Sequence, residues 1–308
     1  MRRVLEYAKL TYPELQALDR ERAVFLGAVS PLEVHGPHLP VGTDVFVAEE
    51  LLRRYAVALR EKHPEVELVA LPPLYAGSDP LPFPGSVAIP PTVLEGHLLA
   101  TAQGLARQGF KYLLVADNHG GPRHQLAIES AARKAWKRFR FYLIDPFGAV
   151  FRYMVQHDPE FLAVTGLAPG RCGDDADAHA GTNETSLMLA AHPELVKGEY
   201  RTLPASSPPA RSSARTFLSA VARLLRSCGA REAAEDLLHL GETLAWIGDP
   251  GKQPYLGSPA LASAEAGEAM YRGHVWAMLK LMDRALQGEP VPIRPLLWGL
   301  RLLKSVPQ

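Results

Sequence analysis

The residues best suited to chemistry lie in a loop that follows a short apolar run. The run is Val24–Ser30, and the loop after it contains three prolines and two glycines before Asp44. Residues two apart in extended chain point to the same side, so Glu33 and His35 can converge on one point. Asp44 ends the loop at a predicted helix start, where the helix dipole favours an acidic side chain. Two carboxylates and an imidazole are good ligands for Zn²⁺ or Mn²⁺.

This loop also has a purely structural interpretation. Asp44 can serve as a helix cap, with Glu33 and His35 as ordinary loop residues. The loop directly follows a buried strand. This position favours the functional interpretation, because open α/β sheets carry their sites at the carboxyl ends of strands.

Two further segments contribute candidate ligands. Tyr112–Asp117 is a clear buried strand, and His119 with two glycines follows it directly. His179 and Glu184 flank small residues that open a predicted helix. Each segment alone also has a structural interpretation. His119 and His179 can be ordinary polar histidines, and Glu184 can be an acid in the first turn of a helix, where the helix dipole favours it.

The three segments together are more specific than any one of them. They supply five nitrogen and oxygen ligands without a thiolate: Glu33, His35, Asp44, His119 and Glu184. Five such groups exceed what a single four-coordinate ion with an open position needs. They suit two metal ions that share a bridging carboxylate.

The elements that must position these groups form an alternating pattern. Strands are predicted at Leu68–Leu74, a weaker one that prolines interrupt, and at Arg140–Asp145, in addition to the two strands above. Helices are predicted over Asp44–Lys62, Thr92–Gln108 and Pro122–Arg138. Apolar strands separated by helices predict an α/β fold with a mostly parallel sheet and helices on both faces.

The C-terminal half is predicted to be mainly helical. Helical patterns cover Glu184–Ala191, Ala214–Leu240 with a break at Gly229, and Ala260–Leu286, whereas Gly248–Pro259 predicts a surface loop. No repeat and no long linker interrupts the chain, so residues 1–308 are interpreted as one elaborated domain.

Composition excludes several classes of protein. The 308 residues are 47% apolar and 21% charged, and 33 basic residues balance 33 acidic ones. Zero net charge argues against a main role in gripping nucleic acid or an anionic membrane. Cys172 and Cys228 cannot form a disulfide framework, and no apolar run of about 18 residues or signal peptide is present. We therefore expect a cytoplasmic protein.

Longer motifs within these segments resemble one known family. They are Glu33-Val34-His35-Gly36-Pro37-His38-Leu39-Pro40-Val41-Gly42-Thr43-Asp44, Asn118-His119-Gly120-Gly121, and His179-Ala180-Gly181 with Glu184-Thr185-Ser186. Weaker matches are Phe83-Pro84-Gly85-Ser86 and Gly257-Ser258-Pro259. The chain resembles the creatininase family, the creatinine amidohydrolase-like metalloenzymes, over roughly residues 20–200 and the helix after 257.

The resemblance implies an α/β sandwich with two divalent metal ions per chain, usually Zn²⁺ or Mn²⁺ and in some members iron. By motif position, Glu33 and His119 would bind one ion, His35 the other, and Asp44 both. Glu184 would complete the second site, because Gly121 stands where creatinine-hydrolysing members carry a glutamate. His179 would lie near the substrate as a general acid or base, with Glu184 as an alternative base. The resemblance also implies a homo-oligomer, typically a hexamer.

Two departures from the family bear on the substrate. Asp79-Pro80 stand where many members carry Glu-His, which removes an imidazole from a loop expected to face the pocket. Residues 206–256 are longer than the minimal family requires, and we interpret them as a helical and loop insertion.

These observations predict an amidohydrolase that cleaves a non-peptide C–N bond, in an amide or cyclic amide, by means of a metal-activated bridging water. The alternatives are a deformylase-type formamide hydrolase acting on a pyrimidine nucleotide precursor, and a scaffold of the same fold that binds a small molecule without turnover. No glycine-rich nucleotide motif follows a strand, and no G-x-S-x-G elbow occurs, so nucleotide binding and serine hydrolysis are disfavoured. Neither nucleic acid nor membrane is an expected partner.

Overall fold

The centre of the protein is a parallel β-sheet. A computed structural model describes residues 4–168, 177, 179–299 and 301. In these residues the sheet has six strands: β1 (Leu5–Glu6), β2 (Ala23–Ser30), β3 (Glu67–Ala70), β4 (Leu74–Tyr75), β5 (Tyr112–Ala116) and β6 (Tyr142–Ile144). Their order is β1-β3-β2-β5-β6, and β4 pairs with the end of β2. Every pair of strands is parallel.

Strand β2 is the middle of the sheet and is buried along its whole length. It pairs with β3 up to Leu26 opposite Ala70, and with β5 up to Ala28 opposite Ala116. A strand covered on both faces must be apolar throughout, which explains its unbroken apolar sequence. Because β2 and β5 are parallel neighbours, the loops that follow them leave the same edge of the sheet.

Helices cover both faces of the sheet. They are α1 (Tyr12–Ala17), α2 (Thr43–Lys62), α3 (Pro91–Arg107), α4 (Pro122–Phe139), α5 (Phe147–Val155), α6 (Pro159–Thr165), α7 (Thr182–Ala191), α8 (Ser213–Ser227), α9 (Arg231–Ile247) and α10 (Ala264–Leu286). The core on one face contains apolar residues of α3 and α4, and the core on the other contains those of α2, α7 and α10. The predicted α/β class, a parallel sheet between helical layers, is confirmed.

Two predicted strands differ from the observed ones. The strand predicted at Leu68–Leu74 is interrupted at its two prolines, as expected: β3 ends at Ala70, and the part after the prolines pairs separately with the end of β2. The strand predicted at Arg140–Asp145 is shorter, since Arg140 ends α4 in a left-handed conformation with φ of 54°. Helix α2 begins at Thr43, one residue before its predicted start.

The C-terminal half differs in its boundaries. The helical pattern of Ala214–Leu240 divides at Gly229 into α8 and α9, and α9 continues beyond it to Ile247. Helix α10 begins only at Ala264, where the Ser263 hydroxyl accepts the first-turn Ala266 N–H. Helices α5 and α6 follow β6 and were not predicted, because their segments are too short for a clear periodicity.

The surface loop predicted at Gly248–Pro259 is wrong in its middle. Tyr255 and Leu256 are buried, and Leu256 exchanges two backbone hydrogen bonds with His179. This part of the chain therefore returns into the molecule instead of running over its surface.

Two expectations from composition concern the cysteines and membrane-spanning helices. Cys228 is a free, exposed thiol, and Cys172 lies outside the described residues. None of the helices in the described residues is long and apolar enough to cross a membrane.

Helix α10 packs closely on α7, the helix that carries Glu184. The contact point is Gly267, where an added Cβ would lie 2.0 Å from the Ser186 carbonyl oxygen and 2.9 Å from the Ala190 Cβ. The neighbouring atom is backbone and cannot move away like a flexible side chain. Glycine is therefore required here, and the contact fixes the position of α7.

We expect Gly267→Ala to destabilise the protein by about 2 kcal/mol, because an overpacked core must shift its backbone. Gly96→Ala is the matched control, since Gly96 lies in the exposed side of α3 with no atom within 4 Å of the added Cβ. That change should stabilise by about 0.5–1 kcal/mol through helix propensity. Urea unfolding measures both values, and a Gly267→Ala protein as stable as wild type would show that α7 and α10 are not in close contact.

Candidate metal centre

All predicted site residues meet at the edge of the sheet where β2 and β5 end. Glu33 and His35 follow β2, Asp44 lies in the first turn of α2, His119 follows β5, and Glu184 lies in the first turn of α7. The site thus depends on two neighbouring strand ends and two helix starts. His179 lies just before α7 and forms a third group of potential ligands with Glu33 and His35, which does not include Asp44.

One group of potential ligands consists of Glu33, Asp44 and His119. The His119 Nδ1 lies 2.9 Å from Glu33 Oε2 and 3.4 Å from Asp44 Oδ2. All three side chains are buried, and one ligand atom of each lies within 4.8 Å of the others. Such a set offers one nitrogen and two carboxylate oxygens to a single cation.

A second group consists of His35, Asp44 and Glu184. The His35 Nε2 lies 3.3 Å from Asp44 Oδ1 and 3.5 Å from Glu184 Oε2. Asp44 belongs to both groups and turns a different oxygen toward each histidine. This is the arrangement that a carboxylate needs to bridge two cations.

Backbone carbonyls fix the tautomers of both histidines. The His35 Nδ1–H donates to the Glu33 carbonyl oxygen at 3.0 Å, and the His119 Nε2–H donates to the Ser78 carbonyl oxygen at 2.9 Å. Since a carbonyl can only accept, the opposite nitrogen of each ring faces the carboxylates, with a lone pair when the ring is neutral and a proton when it is charged. Hydrogen bonds of this kind orient metal-binding histidines in proteins.

When both imidazoles are neutral, as metal ligands must be, several buried atoms in the centre lack a hydrogen-bond partner among the described residues. They are Glu33 Oε2, His35 Nε2 and Asp44 Oδ2. Buried polar atoms are nearly always paired, so three unpaired ligand atoms facing one another call for a missing partner. Divalent cations would satisfy all three, and the residues therefore fit a pair of metal ions.

Mutual attraction shifts the protonation of these groups. Burial alone lowers the pKa of His35 and His119, but the adjacent carboxylates outweigh it and hold both values well above the usual range. Burial alone raises the pKa of Glu33 and Asp44, but the imidazoles outweigh it and lower both. The metal-free centre thus binds protons on its imidazoles, and a cation must displace them.

A polar network below the centre supports the loop after β5. The Asp117 carboxylate accepts the Ser30 hydroxyl at 2.6 Å and the His119 N–H at 3.0 Å. The Asn118 Nδ2 donates to Asp44 Oδ1 at 3.4 Å and to Glu184 Oε1 at 3.3 Å. No role was predicted for Asp117, although an acid at the end of a buried strand, just before a candidate ligand, is a recognisable signal.

His38, which belongs to the first motif, is not a ligand in this geometry. Its Nε2 lies 2.8 Å from the Thr185 hydroxyl in α7. Burial, together with the nearby His35 and His179, lowers the pKa of His38 to about 4, so its ring is neutral. His38 therefore joins the first loop to the helix that carries Glu184.

His179 lies against the centre on the side away from the sheet. Its Nε2–H donates to the Val34 carbonyl oxygen at 2.8 Å, and its ring centre lies 4.3 Å from that of His35. The Trp246 ring, from α9, lies 5.9 Å away on the other side. Sequence reasoning missed Trp246, because nothing in a helical pattern indicates that its indole reaches a site formed by other segments.

A pocket opens beside the centre. Glu33, His119, His179 and Glu184 line one end, and residues of α9 line the opposite wall. The segment 206–256 therefore contributes directly to the site, a role that the sequence did not predict.

Gly121, which stands where some relatives were expected to carry a glutamate, has no room for a side chain. An added Cβ would lie 2.3 Å from His119 Nε2 and 2.8 Å from the Ser78 carbonyl oxygen. A ligand at this position would displace the hydrogen bond that orients His119. The carboxylate of Glu184 occupies the site from α7 instead.

Comparison with protein families agrees with these motifs. A family model described as "Creatininase: Creatinine amidohydrolase" matches residues 8–282. A creatinine amidohydrolase of Pseudomonas putida is 26% identical over 197 residues, which cover 61% of this chain and 72% of that protein. A mycofactocin precursor peptide peptidase of Mycolicibacterium smegmatis is 29% identical over 192 residues, which cover 60% of this chain and 66% of that protein.

Solved structures agree with the fold. A structure titled "Creatininase Mn" superposes with a TM-score of 0.61 at 20% identity, covering 92% of this chain and 99% of its own. A mutant creatininase described as the Zn-Zn type gives the same score, identity and coverage. At this identity the likeness concerns the fold.

Replacement of the shared carboxylate should remove both cations. We expect two Zn²⁺ per wild-type chain, none in Asp44→Asn, one in Glu184→Gln, and two in the control Glu61→Gln, an exposed change in the same helix as Asp44. Mass spectrometry of dialysed protein measures the ratio. An Asp44→Asn chain that keeps both ions contradicts the bridging geometry, and a Glu184→Gln chain that keeps both assigns Glu184 to the base role.

Metal affinity should rise with pH. Because the pKa values of His35 and His119 are raised in the metal-free chain, protons compete with the cation below those values. Affinity should increase about tenfold per pH unit for each proton displaced, from about pH 6 to pH 8. Competition with a chromophoric chelator measures it, and an affinity independent of pH would show that the imidazoles are not ligands.

Proposed function

This chain belongs to the creatininase family, and we propose that it is a metal-dependent hydrolase that cleaves the C–N bond of an amide other than a peptide bond. The observation that carries the proposal is the pair of ligand groups that share Asp44. The names of its relatives, an amidohydrolase and a peptidase, both denote hydrolysis of a C–N bond.

Glu33 and His119 would hold one divalent cation, His35 and Glu184 the other, and Asp44 both. Zn²⁺ and Mn²⁺ suit this nitrogen and oxygen set. When bound, two such cations would supply a nucleophile derived from water at neutral pH and would polarise a carbonyl oxygen. The chain's own part is to fix the ligands, which the Ser78 and Glu33 carbonyls do through the two histidine tautomers.

His179 is suited to proton transfer at the reacting amide. Its Nε2–H is committed to the Val34 carbonyl, so Nδ1 is the nitrogen that can take up and release a proton. It lines the pocket beside the ligand groups, where the nitrogen of the substrate would leave. Protonation of a leaving amine by a positioned imidazole is a standard form of general acid catalysis. Glu184 is the second candidate for this proton transfer.

The residues that line the pocket favour an amide without a phosphate group over a nucleotide precursor. Creatinine, another cyclic amide or an open-chain amide can all present a C–N bond to the ligand groups. A formylaminopyrimidine nucleotide would need a partner for its phosphate, and the described residues that line the pocket include neither lysine nor arginine.

His179→Asn should lower kcat for amide hydrolysis by about 10²–10⁴-fold, the range for loss of a general acid or base. Both metal ions should remain bound, because His179 is not needed by either ligand group. His192→Asn, a partly buried histidine at the end of α7, is the control and should retain full activity. Steady-state kinetics and metal analysis of the same samples measure the two effects.

A His179→Asn protein with unchanged kcat would contradict the proton-transfer role. A wild-type protein that holds two ions and yet hydrolyses no member of a panel of cyclic and open-chain amides would favour the alternative of a binding scaffold without turnover.

A further inference from the structure

We propose that helix α9 determines the substrate class, and that the substrate is an amide with a bulky apolar substituent and no phosphate group. The inference rests on the proposed function, since it concerns the pocket beside the same metal centre. It assigns a role to the insertion at residues 206–256, which the ligand groups do not use.

The side of the pocket that α9 forms is mainly apolar, with His239, Thr243 and the Trp246 N–H as its polar groups. Leu240 and Ile247 lie on the side of α9 that lines the pocket, and Leu81, Phe151 and Leu296 line it from other segments. Leu81 also packs with Trp246 and Leu256 in a small core of its own. Away from these polar groups, a polar substrate group would lose its water against this wall without gaining a partner, whereas an apolar group gains from burial.

The pocket offers no positive side chain to an anion. None of the described residues that line it is lysine or arginine, and the imidazole of His239 is the polar ring on the α9 side. Asp79 lies in the loop where this sequence departs from the family pattern. It forms an ion pair with Arg123 and accepts the Arg123 backbone N–H at 2.7 Å. That carboxylate is therefore already neutralised, and a phosphate would face no free cation of the chain.

Trp246 supplies one unused hydrogen-bond donor. It is 2% exposed and lines the pocket, yet its Nε1–H has no partner among the described residues. A buried indole N–H normally finds an acceptor. In the loaded pocket, a substrate oxygen would be that acceptor, which adds orientation to the apolar contact.

Helix α9 is held rigidly enough to act as a wall. Its Asp236 accepts two hydrogen bonds from Arg152 of α5, at 3.1 and 3.2 Å, and one from the Leu297 N–H at 2.9 Å. Arg215 of α8 pairs with Glu242 on the same helix at 2.6 Å. A wall fixed at these points selects substrates by shape instead of yielding to them.

The experiment compares acetamide, phenylacetamide and 4-(phosphonooxy)phenylacetamide as substrates of the metal-loaded full chain. We expect kcat/KM for phenylacetamide to exceed that for acetamide by about tenfold or more, as apolar pockets discriminate by single groups at this level. The phosphorylated amide should react more slowly than phenylacetamide. Ligand-observed NMR with the metal-free chain should show the same order of binding.

Variants of α9 separate the wall from the rest of the helix. Leu240→Ala should reduce the preference for phenylacetamide over acetamide about tenfold, because it removes part of the wall. Leu244→Ala is the matched control, one turn further along α9, 42% exposed and outside the pocket lining. It should leave the preference unchanged.

A second pair of variants tests the indole. Trp246→Phe keeps an aromatic ring and removes the N–H, and should raise KM for both neutral amides while the phenyl preference persists. Trp276→Phe, in α10 and away from the pocket, should behave as wild type.

The outcomes distinguish the two proposals. Hydrolysis of acetamide and phenylacetamide at equal rates, or a phosphorylated amide that reacts fastest, overturns the substrate class and leaves the proposed function standing. Hydrolysis of none of the three amides counts against the proposed function, and the NMR affinities then decide the substrate class: tighter binding of phenylacetamide than of acetamide supports it, and equal binding overturns it.

Discussion

The concentration of negative charge at the end of β2 is the constraint on which the rest of the site depends. Glu33, Asp44 and Glu184 bring three carboxylates to one place, two of them fully buried. Buried like charges repel strongly at low dielectric, so the arrangement is stable only with positive charge between them. In the metal-free chain, the protonated rings of His35 and His119 supply this positive charge. Divalent cations would supply a larger positive charge and would displace the protons from both rings.

The parallel sheet turns this constraint into a geometry. Strands β2 and β5 are neighbours, so the loops after them leave one edge and bring Glu33, His35 and His119 together although β5 starts far along the chain. The first turns of α2 and α7 add Asp44 and Glu184. The position of α7 depends in turn on its close contact with α10 at Gly267.

Much of this could be predicted from the sequence, because the informative residues are local to strand ends and helix starts. The apolar run of β2 and the ligands two apart after it needed only the alternation of extended chain. What failed depends on distant contacts. The pairing of β4 with the end of β2, the burial of Leu256 and the reach of Trp246 into the pocket depend on which surfaces meet in three dimensions. Helical periodicity predicts which face of a helix is buried, but it does not predict which other segment covers that face.

The most direct test of the metal centre is a crystal structure of the Zn²⁺-loaded chain with anomalous diffraction at the zinc edge. We expect two anomalous peaks about 3.5–4 Å apart. One would contact Glu33 and His119, the other His35 and Glu184, and both would contact Asp44 at about 2.0–2.2 Å. A single peak, or two peaks of which neither contacts Asp44, would contradict this expectation.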